Sequence, residues 1–108
     1  MTDTHTAMCI YQVKPGQETA FESLLARHWP VLHGLELVTG QPSARFRGKS
    51  ADDSTFYVEF LEWCDQDSAA TAHELPEVAA IWEKMGPLCE DRNGRPAMEF
   101  PEVVKIEG

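Results

Sequence analysis

Four short apolar segments, each bounded by turn residues, predict the β-strands of this chain. The first covers residues 8–13 and ends at a Lys-Pro-Gly turn. Residues 44–48 and 55–63 give two further strands, and the polar turn between them predicts a hairpin. The last segment is residues 97–106, in which Pro101 has no backbone N–H to donate. We therefore expect this last strand at an edge of the sheet.

Between the first two strands, apolar residues recur at helical spacing and predict a helix over residues 17–34. Its apolar stripe consists of Phe21, Leu24, Leu25, His28 and Leu32. Gly34 is expected to close this helix. Pro30 is expected to kink or break it, because proline lacks an N–H and clashes with the preceding turn.

A second helical segment follows the hairpin. Asp65 is its predicted cap, Leu75-Pro76 is expected to break it, and it should end near Met85. The element order is therefore β-α-β-β-α-β. Helices on one face of an antiparallel sheet make a ferredoxin-like α+β sandwich, which we expect as one domain over residues 1–108.

The strand at residues 55–63 is apolar on both of its faces. One face carries Phe56, Val58 and Phe60, and the other carries Tyr57, Leu61 and Trp63. Such a strand is covered on both sides in a folded protein. One layer of helices covers only one side, so we expect a second copy of the chain to cover the other and form a homodimer.

Composition narrows the function classes without naming one. The chain has 108 residues and a net charge of -9, and this acidity disfavours nucleic acid as a partner. No apolar run approaches the roughly 20 residues of a membrane span, and the polar start over residues 1–6 is unlike a secretory signal. Cys9, Cys64 and Cys89 form no CxxC pair, which is typical of free thiols in the cytoplasm.

Three stretches of the sequence are similar to one known protein family, and together they cover nearly the whole chain. The first is YQVKPGQETAFESLLARHW, which resembles a strand-turn-helix opening. The second is TFYVEFLEWCDQDSAATAHELPEVAAIWEKM, which resembles a third strand and a second helix with a break before PEV. The third is GRPAMEFPEV, which resembles a final strand. The family is the antibiotic biosynthesis monooxygenases, dimeric α+β barrels in which two sheets face each other.

The resemblance implies a function but not a substrate. The family includes cofactor-independent oxygenases of quinol or anthrone-like aromatics, haem-degrading enzymes, and members with no known activity. Its haem-degrading branch has an Asn on the first strand and a Trp and a His in the second helix region. Matching places Cys9, His73 and Trp82 at those three positions, so the resemblance does not imply haem degradation.

Two histidines are the candidate catalytic residues. His28 lies on an apolar helix stripe, where it is either a core histidine bonded to backbone or a base or donor in a pocket. His73 precedes the Leu75-Pro76 break, where it either caps the helix or acts as a base. Glu59 lies in an apolar strand, so it either pairs with Arg45 across the hairpin or acts as a carboxylate base with a raised pKa.

Several large side chains are candidates for a pocket that takes a small apolar or aromatic ligand. They are Cys9, Tyr11, Trp29, Trp63 and Trp82, for each of which core packing is the alternative. No metal-ligand spacing, GxGxxG, P-loop or GxSxG occurs, so we expect no metal and no flavin or haem. The leading hypothesis is a cofactor-independent monooxygenase of a small aromatic or polyketide-like substrate. The alternatives are a non-enzymatic ligand-binding dimer and a structural dimer.

Overall fold

The chain alternates strands and helices in the order that the sequence predicts. The computed structural model describes residues 5–91, 94–104 and 106. The elements are β1 (His5–Val13), α1 (Glu18–Gly34), β2 (Ala44–Lys49), β3 (Thr55–Trp63), α2 (Ser68–Glu74), α3 (Pro76–Met85), β4 (Met98–Glu99) and β5 (Glu102–Val103). A short 3-10 turn, Gly86–Leu88, follows α3. Residues 1–4 of the predicted polar start, residues 92–93 of the predicted loop and residue 105 of the predicted last strand lie outside the described residues.

The sheet is antiparallel, with the strand order β2-β3-β1-β4 and with β5 also paired to β1. This is the predicted ferredoxin-like α+β arrangement, with the helices packed on one face. The prediction of one long last strand was wrong. This segment forms two strands of two residues each, β4 and β5, and both pair with β1. Pro101 lies between them, and its carbonyl accepts the Met8 N–H at 2.9 Å. A proline cannot donate into a ladder, so it interrupts the strand at the sheet edge.

Pro30 does not break α1, which continues through it to Gly34. The expected break was therefore wrong. Proline deprives the carbonyl four residues earlier, that of Ala26, of its helical donor. Ala26 and Pro30 are both exposed, so water can satisfy that carbonyl. The helix is held instead by its apolar stripe, of which Phe21, Leu25, His28 and Leu32 are buried.

The second helical segment begins two residues later than predicted. Asp65 is not its N-cap, because α2 starts at Ser68 and Asp67 is the capping residue. The Asp65 carboxylate accepts the Asp67 N–H at 2.9 Å and the Ser68 hydroxyl at 3.0 Å, so it closes the turn that leads into α2. The predicted break is confirmed: Leu75 is extended, and Pro76 opens α3 at its first position.

The two faces of the sheet differ in what covers them. Residues of β3 alternate strictly between buried and half-buried, and the buried set faces the helices. The other face, called the outer face below, carries half-buried apolar side chains of β1 and β3, together with Phe46, which is 57% exposed. The Phe56 ring lies across Gly48 on this face, where a Cβ would stand 2.5 Å from it. The two apolar faces predicted for β3 are thus present, and the described residues cover only one of them.

Among the described residues, no helix is both long enough and apolar enough to cross a bilayer.

Candidate active site

A chain of hydrogen bonds between buried side chains joins the sheet to α1 and α3. Glu59 Oε1 accepts the Tyr11 hydroxyl at 3.0 Å and lies 2.8 Å from His28 Nδ1. On the other side of the imidazole, Trp82 Nε1 lies 2.9 Å from His28 Nε2. His28 is 1% exposed, and Tyr11 and Glu59 are fully buried. We call these four residues, Tyr11, Glu59, His28 and Trp82, the buried polar chain.

The hydrogen-bond partners of His28 define its tautomer. An indole N–H only donates, so His28 Nε2 must accept the Trp82 N–H. The proton of a neutral imidazole then lies on Nδ1, from which it is donated to Glu59 Oε1. Both ring nitrogens are therefore occupied, and His28 cannot accept a further proton without releasing Trp82. His28 is thus buried and bonded to side chains rather than to backbone.

Strand register explains how Glu59 reaches His28. The predicted register is confirmed, since Arg45 lies opposite Glu59 in the hairpin and Cys9 lies opposite it on β1. The expected side-chain pair between Arg45 and Glu59 is not formed, because Arg45 is exposed at the edge of the sheet while Glu59 bonds inward to His28 and Tyr11. Glu59 Oε2 is buried and has no hydrogen-bond partner among the described residues.

Neither Cys9 nor Tyr11 is suited to act as a base. Burial is the main cause that raises the pKa of the Cys9 thiol, and the nearby charge of Glu59 raises it further. Burial likewise raises the pKa of Tyr11 well above its ordinary value, with Cys9 and Glu59 adding to the shift. Both groups therefore keep their protons at neutral pH. They support Glu59 as neutral neighbours, and Tyr11 does so as a donor.

The buried polar chain reaches the surface at Trp82, which is half-buried. Its ring stacks on Phe100 with the centroids 5.6 Å apart, and the exposed His73 lies 4.7 Å from it on a tilted plane. His73 is in the last turn of α2, and its side chain forms no hydrogen bond within the described residues. The structure thus places His73 at the outer end of the buried polar chain and His28 in the centre of it.

The other two tryptophans, Trp63 and Trp29, lie outside the buried polar chain. Trp63 borders a cavity of about 200 Å³ between α2 and the strand ends, and Phe100 is part of the same wall. Trp29 belongs elsewhere, because it stacks on His33 with the ring centroids 4.6 Å apart. The predicted set of pocket residues therefore does not converge on one pocket. Cys9, Tyr11 and Trp82 lie along the buried polar chain, Trp63 is its neighbour through Phe100, and Trp29 is separate.

Phe100 is a site residue that the sequence analysis missed. It contacts both Trp82 and Tyr11, the latter with the ring centroids 5.9 Å apart and edge to face. The sequence did contain a signal for Phe100, because this residue directly precedes Pro101. The proline ends the pairing of β4, and at that point the Phe100 ring turns towards the helices. Glu59 was recognised as an unusual buried carboxylate, but its partner His28 lies 31 residues away in sequence and no local pattern connects the two.

Thiol accessibility gives a direct check on this packing. At pH 8, iodoacetamide is expected to modify Cys64, which is half-buried, well before Cys9 or Cys89. Burial raises the pKa of Cys89 to about 11, and that of Cys9 is raised further, so few thiolates form there. Mass spectrometry should find one label per chain in the folded protein and three after unfolding. Early labelling of Cys9 would contradict the packing around Glu59.

No protein-family model matches the sequence, and no curated protein matches it. Solved structures do match it over nearly its full length. One is from Bordetella bronchiseptica and is provisionally named an antibiotic biosynthesis monooxygenase, with a TM-score of 0.72, 16% identity, and coverage of 97% of this chain and 99% of that one. A protein of the same provisional name from Nitrosomonas europaea matches with a TM-score of 0.71 and 12% identity, and the match covers 98% of this chain and 93% of that one.

A third structure that matches is SnoaB, a cofactor-independent oxygenase from Streptomyces nogalater. Its TM-score is 0.65 at 20% identity, with 98% of this chain and 96% of that one covered. The chain thus has the fold of the antibiotic biosynthesis monooxygenases, and the resemblance inferred from the three sequence stretches is confirmed at that level.

Proposed function

We propose that this protein is a cofactor-independent monooxygenase of a small aromatic or polyketide-like substrate. The observation that carries the proposal is the buried polar chain, which ends at a surface-facing indole with His73 beside it. A fully buried carboxylate and imidazole are costly to keep unless they are well paired. Here the Glu59–His28 pair holds the indole N–H of Trp82, its only polar group, and so fixes the plane of the Trp82 ring beside His73. The fold shared with SnoaB, which is named a cofactor-independent oxygenase, supports the proposal.

In this proposal the chemistry begins with His73 as a base. A hydroxyaromatic ring lies beside Trp82 and Phe100, and the exposed imidazole accepts a proton from its hydroxyl or activated CH₂ group. The imidazolium that forms then stabilises the substrate anion at close range. Trp82 cannot supply this stabilisation, because its N–H is already bound to His28.

The anion then reacts directly with dioxygen, and the overall reaction balances without an added reductant. An anthrone-like CH₂ group becomes C=O, one oxygen atom of O₂ enters that carbonyl, and the other leaves as water with the two hydrogens. The four electrons that reduce O₂ all come from the substrate carbon. The protein contributes the base, the positioning of the ring and an apolar surrounding.

Oxygen consumption tests this function. The purified chain, dialysed against a chelator and given no flavin, should consume O₂ with at least one member of a panel of hydroxyanthrones and naphthoquinols. The rate should exceed that of the substrate alone by a saturable amount. Equal rates with and without protein across the panel would contradict the proposal.

A homodimer is part of the proposal, because the outer face of the sheet has no cover from residues 5–91, 94–104 and 106. Light scattering at micromolar concentration should give twice the mass of one chain. The interface of this dimer should bury more than about 1,200 Å² in total. Val58 lies between Ile10 and Phe46 on that face. Val58→Glu should yield monomers, because it brings a charge into the apolar interface. Ala80→Glu, at an exposed position of α3, is the matched control and should stay dimeric. A wild-type monomer would contradict this proposal.

A second candidate function is a dimer that binds a small apolar ligand without turnover. It is favoured by a cavity of about 310 Å³ on the outer face, lined mainly by Met8, Ile10, Phe56 and Val58. In a dimer this cavity would lie between the two sheets. Ligand binding that Val58→Glu abolishes, together with no oxygen consumption by the wild type, would select this function over the oxygenase.

A further inference from the structure

A ladder of paired charges joins α1 to β2, the edge strand of the sheet. Positions 18, 22 and 26 share one face of α1, and positions 45, 47 and 49 share the helix-side face of β2. Arg47 donates to Glu22 at 2.9 Å. One step along, position 18 of the helix and position 49 of the strand carry Glu18 and Lys49: a backbone hydrogen bond is the main cause that lowers the pKa of Glu18, and the charge of Lys49 is a smaller one. Glu22 is thus ion-paired with the strand, and Glu18 lies within electrostatic reach of the next basic residue along it.

The third step of this charge ladder lacks its acid. Arg45 is the next basic residue along β2, and the corresponding position on α1 is Ala26. A cavity of about 450 Å³ lies between them, with both residues in its wall. Leu25 and Tyr57 supply apolar surface to the same cavity. Arg45 is exposed and makes no ion pair or hydrogen bond with any other described residue.

The neighbouring carboxylate does not cancel the charge of Arg45. Glu22 also lines the cavity, but it accepts the Tyr57 hydroxyl at 2.5 Å as well as the Arg47 guanidinium. These two donors lower the pKa of Glu22, with Tyr57 the larger cause, so its charge is already compensated. The cavity therefore contains one uncompensated cation, although the whole chain has a net charge of -9.

We propose that this cavity is a binding site for a carboxylate attached to a flat apolar body. The carboxylate occupies the missing third position of the charge ladder and accepts a bidentate pair of hydrogen bonds from Arg45. The apolar body packs against Leu25 and Tyr57. The site is separate from the His73 surface, because none of the residues lining it belongs to the buried polar chain, and it does not depend on the proposed oxygenase activity.

The test compares a charged probe with its neutral counterpart. We expect calorimetric titration of the purified wild-type chain to show saturable binding of 1-naphthoate, at least about tenfold tighter than that of 1-naphthamide. Arg45→Gln should bring the two affinities together. Arg27→Gln removes an equal charge from an exposed position of α1 that does not line the cavity, and should keep the preference.

A second variant tests the geometry of the ladder. Ala26→Glu places an acid beside Arg45 and should abolish naphthoate binding without loss of fold, while Ala26→Gln should retain most of it. Equal binding of naphthoate and naphthamide, or naphthoate binding that survives Arg45→Gln, would overturn the proposal. So would a wild-type chain that binds neither probe, including one whose Arg45 is covered by a second copy of the chain.

Discussion

Replacing His73 by alanine is expected to lower oxygen consumption by roughly 10²–10⁴-fold on any substrate that the wild type turns over. The exposed imidazole is the only candidate base beside Trp82 whose two ring nitrogens are unbonded among the described residues. Its loss removes both the proton acceptor and the cation that stabilises the substrate anion. Substrate binding should change much less than the maximal rate, because Trp82 and Phe100 remain.

His33→Ala is the matched control for this variant. His33 is also exposed and also stacks on a tryptophan, but that tryptophan is Trp29, outside the buried polar chain. Its replacement should leave the rate unchanged. If His73 serves only the end of α2, His73→Ala should instead cost about 1 kcal/mol of stability and leave the rate intact. That outcome would remove His73 from the mechanism.

The second large effect is on stability. We expect His28→Ala to lower the free energy of unfolding by roughly 3–5 kcal/mol, because it leaves the Trp82 N–H without its acceptor and the buried Glu59 with Tyr11 as its one remaining donor among the described residues. At equal protein concentration the urea midpoint should fall by at least about 1 M relative to the wild type. Tryptophan fluorescence should change as well, since Trp82 loses its hydrogen bond. A loss below about 1 kcal/mol would contradict the buried polar chain.

A double-mutant cycle separates pairing from packing. His28→Leu and Glu59→Leu should each be costly alone, because each removes one buried hydrogen-bond partner of the other group. The double variant should cost clearly less than the sum of the two, since neither group then remains to be desolvated. Strictly additive losses would show that His28 and Glu59 do not interact.

The sequence predicted most of the fold, because its signals are local. Period-two alternation over residues 55–63 and the helical stripe of α1 required no knowledge of distant residues. The errors arose where burial decided the outcome. Pro30 was expected to disturb α1, but the carbonyl that it leaves unpaired faces water. The last strand was read as one element, although Pro101 divides it where Phe100 turns into the site.

The site was only partly predictable, for a different reason. Periodicity identified His28 as buried and Glu59 as an unusual carboxylate, but it could not show that the two bond to each other. Hairpin register correctly placed Arg45 opposite Glu59. The buried carboxylate of Glu59 has two possible partners, and packing decides between them. Water solvates Arg45 at the exposed edge of the sheet, whereas His28 lies directly above the strand. Only the three-dimensional structure shows that choice.

The central claim, oxygen insertion without a cofactor, is tested most directly by isotope labelling under ¹⁸O₂. The protein is first stripped with a chelator and confirmed free of visible absorption, and the product is then analysed by mass spectrometry. We expect one ¹⁸O atom in the new carbonyl of the product, one O₂ consumed per product, and loss of the protein's rate enhancement in His73→Ala. Product formation only after addition of a flavin or a metal, or product whose oxygen comes from water, would contradict it.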